Sequence, residues 1–443
     1  MQKPGCFRLS LCLRLKGIIM TDKKTVPPCQ SSGIPSEGKV PGSADFLDAG
    51  GKEIVNHNQS INAAVMNTAG INGKRYAAGM YGGCFNPLHL GHLECIIRAA
   101  GLCRDLYIVI SYREHPSDIP LRVKIRWLYT LTKHLGNVRF IPLPDKVTRK
   151  EDYTEDLWLD DARKVRAEIG KPLNVVFCGS DYDENSFWHV CYPEAKLMVF
   201  PRSQYSSTAI RNDIYGHWDW MPRIVRSYFV KKVLIIGGES SGKSTLTINL
   251  AHYFNTVYLE ETGRDLSMLS GTDAWMLGED FTRILLEHKD REIRLQDEAD
   301  KVLFIDTDCL ITRFFLDFLG AGAGAGASAA AEDTARNQRL SDAISDLNRY
   351  DLILFLEPDV EWVQDGDRSE VIAADRLRYS EMIKELYRSR GFGFQVINGD
   401  YNSRFDKAVS LVKDLLALNS SYPAFSGSPG GSARGAAAET PVG

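Results

Sequence analysis

Apolar positions fall into two patterns that alternate along the chain. Short continuous apolar runs, as expected of strands buried on both faces, are separated by longer stretches with apolar residues at helical spacing. The alternation begins near Arg75. It predicts strands at 77–81, 106–111, 138–142, 175–178 and 197–200, helices at 90–100, 121–134 and 157–168, and a helix opening at 208–211. A second series starts at strand 233–236 and continues with strands at 257–259, 302–305, 352–356 and 395–397, with long helices between them. Strands alternating with helices imply parallel sheets covered on both faces. The fold class expected is α/β, with two doubly wound parallel-sheet domains.

The segments outside these patterns complete the organisation. Residues 1–74 are rich in Pro, Gly, Ser and Asn and read as a flexible leader. Within it, 6–20 has a faint signal-peptide pattern, but Arg8, Arg14 and Lys16 interrupt it and no small-residue cleavage site follows. Met20, followed by Thr21-Asp22-Lys23-Lys24, is a candidate second start, with an unstructured or mis-assigned leader as the competing reading. The domains are placed at 75–230 and 231–419. Their boundary near Phe229–Lys232 has no flexible linker, so the two are expected to pack together. Residues 320–331 (GAGAGAGASAAA) read as a low-complexity surface insertion, and 420–443 as a disordered tail.

Composition narrows the class. Apolar residues make up 44% and charged residues 25% of 443 residues, the balance of a soluble globular chain with more than one core. Lys and Arg total 53 against 57 acids, a net charge of −4, which excludes a chain built for general electrostatic capture of nucleic acid. The nine cysteines include no CxxC pair and form no disulfide or zinc framework, which fits a reducing, cytoplasmic setting. No apolar run approaches the roughly 18 residues of a membrane span.

Two loops carry the chemistry. Gly82-Gly83-Cys84-Phe85-Asn86-Pro87-Leu88-His89-Leu90-Gly91-His92 joins the first strand to the first helix. A strand–glycine turn–helix start offers backbone N–H groups and the positive helix end to an anion. His89 and His92 can both face that anion and stabilise charge growing on a phosphate. Gly82, Gly83, Phe85 and Asn86 are the nucleotide-contact candidates beside them. The HxGH sequence resembles the nucleotidylyltransferase superfamily, in which this motif binds ATP phosphates and catalyses adenylyl transfer. Ser206-Ser207-Thr208-Ala209-Ile210-Arg211 is similar to that superfamily's late SxTxxR motif. The resemblance implies that Ser207 and Thr208 meet the phosphates and that Arg211 neutralises their charge.

Gly237-Gly238-Glu239-Ser240-Ser241-Gly242-Lys243-Ser244-Thr245 fits GxxxxGK[ST] between an apolar strand and a helix. The backbone cradles phosphates, Lys243 reaches the β/γ oxygens, and Ser244 ligates Mg²⁺. Strand 302–305 runs into Asp306 and Asp308, which suit a magnesium ligand and a base for a substrate hydroxyl; solvated strand-end acids are the competing reading. Glu260-Glu261-Thr262-Gly263-Arg264 supplies a second acidic candidate, Glu261. Arg368, followed by Arg376 and Arg378, resembles a kinase lid, with a charged surface helix the alternative for the last two.

The order of the two domains, with GGESSGKS, FIDTD, ETGR and WVxDGxR, closely resembles the NadR family over about 75–418. That resemblance implies a Rossmann-like nucleotidylyltransferase domain followed by a P-loop kinase domain. Its implied activities are ATP-dependent phosphorylation of nicotinamide riboside and adenylyl transfer from ATP to nicotinamide mononucleotide, giving NAD and pyrophosphate. ATP and Mg²⁺ are the implied cosubstrate and metal. Trp127, Trp158 and Trp188 are candidates to stack on a pyridinium ring, with core packing as the competing reading. Some relatives carry a DNA-binding helix-turn-helix, but the leader here has no pair of amphipathic helices, so no nucleic-acid partner is expected. Neither is a membrane partner, while a homo-oligomer is allowed. The rivals are a fused phosphopantetheine adenylyltransferase and dephospho-coenzyme A kinase, against which ETGR and WVxDGxR count, and a non-catalytic NAD-sensing regulator.

Overall fold

The computed structural model describes residues 76–421 except 116–117, 148–151, 153, 180–186, 202–203, 264–275, 323–327 and 364–369. The leader and nearly all of the tail therefore lie outside the described residues. The first sheet contains β1 (Tyr76–Gly83), β2 (Cys103–Tyr112), β3 (Val138–Pro144), β4 (Val175–Gly179) and β5 (Lys196–Phe200), in the order β3-β2-β1-β4-β5, all parallel. Crossing between them are α1 (Leu90–Leu102), α2 (Leu121–Thr132), α3 (Glu155–Ile169) and α4 (Phe187–Cys191). Two short helices follow, α5 (Ser207–Asn212) and α6 (Arg223–Arg226).

The second sheet contains β6 (Lys231–Gly237), β7 (Tyr258–Leu259), β8 (Val302–Asp306), β9 (Leu352–Leu356) and β10 (Gln395–Ile397). Its order is β10-β9-β6-β8-β7, again all parallel. Its helices are α7 (Lys243–Tyr253), α8 (Gly278–Gln296), α9 (Cys309–Gly322), α10 (Ser328–Leu347), α11 (Glu370–Ala374), α12 (Arg376–Ser389) and α13 (Tyr401–Leu418). In each sheet the first strand is central and pairs with a different neighbour on either side. A crevice therefore opens at its carboxyl end, where an α/β sheet binds its ligand. The two glycine loops of the sequence leave β1 and β6 at these two points.

Alternate residues of each central strand serve different cores, as the two-residue strand period requires. Ala78 and Met80 pack with Val165 and Ile169 of α3 on one face of the first sheet. Val233 and Ile235 pack with Leu250 of α7 and Val412 of α13 on one face of the second. Leu234 and Ile236 turn the other way, into a cluster that also holds Trp218, Val225 and Phe229 from the end of the first half. Each such fully buried side chain contributes roughly 1.5–3 kcal/mol.

Phe229 and Val230 thus share a buried cluster with Leu234 and Ile236 of β6. Polar contacts reinforce the junction. Gln296 Nε2 donates to Ser227 O at 3.0 Å, Arg223 Nε to Asp297 O at 2.9 Å, and Tyr215 OH to Phe229 O at 3.2 Å.

Within the segment expected as a low-complexity surface insertion, 320–331, α9 runs through Gly322 and α10 begins at Ser328. Alanine is the strongest helix former, so the Ala-rich end extends α10 instead of looping out. The helices are tied along their length by Ser341 Oγ to Cys309 O (2.8 Å) and Arg313 to Asp342 (2.8 Å). Residues 323–327 lie outside the described residues.

Candidate active sites

At the end of β1 the chain turns through Phe85, in the left-handed region (φ 48°), before α1 starts at Leu90. His89 is the N-cap of α1. Its Nδ1 accepts the His92 backbone N–H at 3.3 Å, and His92 Nδ1 accepts the His89 N–H at 3.4 Å. The rings stack with centroids 3.7 Å apart. With Nδ1 accepting, the proton of each neutral imidazole sits on Nε2, so both histidines present an N–H donor. Burial, and then the neighbouring His89, hold His92 well below the ordinary histidine pKa. Phe85, expected from the sequence to be a nucleotide contact, is 1% exposed and meets the His92 ring edge-on at 5.0 Å, which makes it a support for His92.

The late motif, more than a hundred residues away in sequence, is bonded directly to this loop. Arg211 Nη1 donates to Asn86 O at 2.5 Å, and Ser207 Oγ donates to Pro87 O at 3.0 Å. Arg211 Nη2 also reaches Thr208 Oγ1 at 3.0 Å. Asn86 Nδ2 donates to Asp118 at 3.2 Å, and Arg113 Nε pairs with the same carboxylate at 3.0 Å. Gly82 is overlain by the Trp188 indole, 3.3 Å from where a Cβ would stand. Of the three tryptophans singled out, Trp188 alone is described against this loop. Trp127 is 3% exposed and packs edge-on with Tyr228 at 5.6 Å, and Trp158, within α3, packs against the core.

The loop after β6 fits a phosphate cradle. Gly237 (φ 151°) and Gly242 (φ 86°) have conformations that L side chains rarely adopt, and a Cβ on Gly237 would stand 2.6 Å from Leu356 O. Ser240 between them is also left-handed (φ 54°), the alternation that turns successive N–H groups inward. Lys243 Nζ donates to Gly238 O at 3.0 Å, and Ser241 Oγ to the same carbonyl at 2.8 Å. Arg376 lies over the loop, donating to Ser240 O at 3.3 Å and Val360 O at 2.7 Å, with its guanidinium over the Trp362 ring at 5.4 Å. Glu239 lies on the same loop, while Thr245 is on the exposed side of α7. Arg368 lies outside the described residues.

Beside the cradle is a cavity of about 150 Å³ lined by Ser244, Thr247, Ile248, Tyr258, Glu260, Glu261 and Asp306. It brings Ser244, Glu261 and Asp306 together from three separate segments. Hydroxyl and carboxylate oxygens are the ligand set of a hard divalent cation. Among the described residues no three His, Cys, Asp or Glu side chains form a metal cage of their own. A site completed by phosphate oxygens does not require one.

Asp308 requires a correction. It is 3% exposed and turned away from this cavity. Its Oδ1 accepts Tyr387 OH and Leu310 N (2.9 Å); its Oδ2 accepts Tyr350 OH (3.1 Å) and Asn348 Nδ2 (3.5 Å). With both oxygens engaged by the protein, it is not placed to take a proton from a substrate.

Two cations escaped the motif reading. Lys124 of α2 is 2% exposed, and its charge is felt at Cys84 of the first loop together with those of Arg113 and Arg211. Burial holds its ammonium below the ordinary lysine range. Arg404 of α13, also 2% exposed, donates to Ser241 O (2.6 Å), Glu357 O (2.8 Å) and Gly399 O (2.7 Å) and pairs with Asp359. Both lie on the buried stripe of an amphipathic helix, beside Trp127 and Leu128 in one case and Ala408 and Val412 in the other. A charged residue within such a stripe is a readable signal, because it needs an internal partner or a ligand.

Two parallel sheets, each with a phosphate loop at its switch point, define an enzyme that transfers phosphorus-containing groups through a nucleotidylyltransferase half and a P-loop half. A cytidylyltransferase-like family model matches residues 80–226, and an AAA-domain model matches 232–404. The chain is 29% identical over 357 residues to the trifunctional NAD biosynthesis/regulator protein NadR of Escherichia coli (strain K12), covering 76% of this chain and 83% of that one. Solved structures of NadR, in complex with NR and with NAD and AMP-PNP, share the fold with a TM-score of 0.62 each. They are 22% and 21% identical and cover 78% and 77% of this chain and 97% and 96% of theirs. Phosphopantetheine adenylyltransferase of Streptococcus pneumoniae (strain 70585) is 39% identical over 70 residues, 16% of this chain and 43% of its own. Over most of its length the chain is similar to NadR proteins in sequence and in fold.

Proposed function

We propose that the protein makes NAD in two ATP-dependent steps. In the P-loop half, the 5′-hydroxyl oxygen of nicotinamide riboside attacks the γ-phosphorus of ATP, ADP leaves, and the mononucleotide forms. In the first half, a phosphate oxygen of nicotinamide mononucleotide attacks the α-phosphorus of ATP, forming the new P–O–P link of NAD while pyrophosphate leaves. The observation that carries this reading is the pair of phosphate loops at two switch points of one continuous fold, in the NadR order.

The first step of each reaction is positioning, since neither needs a covalent enzyme intermediate. In the adenylyltransferase half, the Nε2–H donors of His89 and His92 face the charge that grows on the phosphates, with Arg211 and Lys124 adding positive charge. The backbone at Gly82 and Gly83 and the hydroxyls of Ser207 and Thr208 complete the phosphate contacts, and the Trp188 face is offered to the pyridinium ring. In the kinase half, Lys243 exchanges the Gly238 carbonyl for phosphate oxygens. Arg376 and Arg368 close over the transferring group, and Glu261 accepts the hydroxyl proton. Ser244 and Asp306 would hold Mg²⁺, which supplies charge neutralisation on the β- and γ-phosphates when bound.

The likeness to phosphopantetheine adenylyltransferase covers only 70 residues, 16% of this chain. Among the described residues no helix is long and apolar enough to cross a membrane; a cytoplasmic enzyme without a nucleic-acid partner is part of the proposal. The test offers nicotinamide riboside and nicotinamide mononucleotide separately with ATP and Mg²⁺, and identifies products by mass. Mononucleotide and ADP from the first, and NAD and pyrophosphate from the second, are expected. Turnover of phosphopantetheine with no turnover of either pyridine substrate would sink the reading.

A further inference from the structure

The kinase half contains a buried carboxylate that the proposed chemistry does not use. Asp308 stands two residues beyond Asp306, and the residue between them, Thr307, is left-handed (φ 63°) and 4% exposed. β-Branched residues rarely adopt that conformation, so the surroundings must hold it. Thr307 N donates to Ile235 O at 3.0 Å, which fixes the near side of the kink to β6. Asp308 fixes the far side through four accepted hydrogen bonds. The kink sends the two acids in different directions: Asp306 into the cavity with Ser244 and Glu261, and Asp308 towards α12.

The partner helix is the one that carries Arg376. Positions 376, 380, 384 and 387 follow one another at helical spacing along one face of α12. Each meets a different part of the sheet's carboxyl edge. Arg376 bonds the P-loop at Ser240 O, and Ser380 Oγ lies 3.1 Å from where a Cβ on Gly238 would stand. Lys384 Nζ pairs with Glu357, just beyond β9, at 2.5 Å. Tyr387 is fully buried and donates its hydroxyl to Asp308, just beyond β8. Tyr350, at the approach to β9, donates to the other oxygen.

We propose that Asp308 is a positioning residue of the kinase half: it locks the acidic end of β8 to α12, so that Asp306 faces the metal cavity while Arg376 lies on the P-loop. This rests on the kinase reading above and deepens it. The expected consequence falls on binding of the ATP–Mg²⁺ complex, because the groups being positioned are those that hold phosphate and metal. A general base would instead act on the chemical step and would be indifferent to the Tyr387 hydroxyl.

The test uses the full chain with Tyr387→Phe, Asp308→Asn and the double variant. KM for ATP, the Mg²⁺ concentration at half-maximal rate and kcat are measured for riboside phosphorylation, with mononucleotide adenylylation in the same samples reporting on folding. Loss of one internal hydrogen bond to a carboxylate should raise the first two constants roughly three- to tenfold in each single variant, leaving kcat within about threefold. The double variant should be no worse than the weaker single one, since both break the same link. Tyr387→Phe with all three constants unchanged overturns the proposal, as does an Asp308→Asn loss confined to kcat at saturating ATP and Mg²⁺. Should Asp308→Asn lose both activities, Tyr387→Phe decides. A wild-type chain that does not phosphorylate the riboside would overturn the functional reading alone, and the same shift in Mg²⁺-dependent ATP affinity, read by calorimetry, still tests the link.

Discussion

His89 and His92 cap each other at the start of α1, each ring accepting the other's backbone N–H, with the two rings stacked 3.7 Å apart. The contacts that close the helix end also fix which ring nitrogen carries the proton. The capping contacts and the proposed catalytic donors therefore use different atoms of the same side chains, and substitutions can separate them. His89→Asn keeps a capping acceptor but loses the Nε2–H donor. It should lower mononucleotide adenylylation about a hundredfold or more with little change in melting temperature. His89→Ala should lose the activity and also about 1 kcal/mol of stability. Riboside phosphorylation, measured in parallel, should persist in both; equal loss of the two activities in folded protein would contradict separate sites.

Lys124 offers the opposite combination. A buried ammonium, which feels Asp118 and Asp145 but also Arg113, costs stability that a same-length apolar side chain would not. Lys124→Met should leave the melting temperature unchanged or raise it, while adenylylation falls about ten- to a hundredfold. A stable variant with full adenylylation would show that the cation is only structural.

Lys243→Ala should reduce riboside phosphorylation on the order of a thousandfold and spare NAD formation from the mononucleotide. Product analysis with each substrate offered alone checks it. Loss of both reactions in a folded variant would overturn the two-site reading.

Arg404 supports the P-loop from below with three main-chain carbonyls as acceptors. Removing a buried, bonded guanidinium leaves those carbonyls without a donor. Arg404→Met should cost roughly 3 kcal/mol by denaturant titration. It should also raise KM for ATP in the kinase reaction more than in the adenylyltransferase reaction. Equal effects on the two KM values would indicate a general loss of packing.

His288 makes stability depend on pH. It lies at the back of the Asp306 strand, with Glu292, Arg291 and Lys289 around it, and burial holds its pKa at about 4. Above the unfolded value of 6.5 both states are neutral and stability is flat. As pH falls from 6.5 towards 4, the unfolded chain takes up a proton that the folded chain does not, so stability is lost. The loss is on the order of 3 kcal/mol across that window for this group. His92, also held below its ordinary range, acts with the same sign. Denaturant titrations at pH 7 and pH 4.5 should show a smaller stability drop for His288→Gln than for wild type; parallel drops would remove His288 as a cause.

The elements of both halves were legible in the sequence because parallel strands buried on both faces must read as apolar runs, and the two phosphate loops follow two of them. Lys243, Ser244, His89 and His92 were singled out in that way. The motif pattern reached only residues whose chemistry is set by a short local spacing. Lys124, Arg404 and the Asp308–Tyr387 pair were not legible as a site, since their partners are separated by tens to hundreds of positions and meet only at the sheet edges.

The sequence by itself determined two α/β strand series and the two phosphate loops that follow their first strands. Each of these depends on local periodicity or on residues adjacent in the chain. Tertiary structure alone decided how the acids divide their roles. Asp306 and Asp308 are separated by one residue and are interchangeable on paper. A left-handed Thr307 turns one into the cavity beside the P-loop and the other towards the buried Tyr350 and Tyr387. It also decided the fate of Phe85, which burial makes a support for His92. Burial and side-chain direction depend on what the rest of the chain packs against them, and no local spacing carries that information.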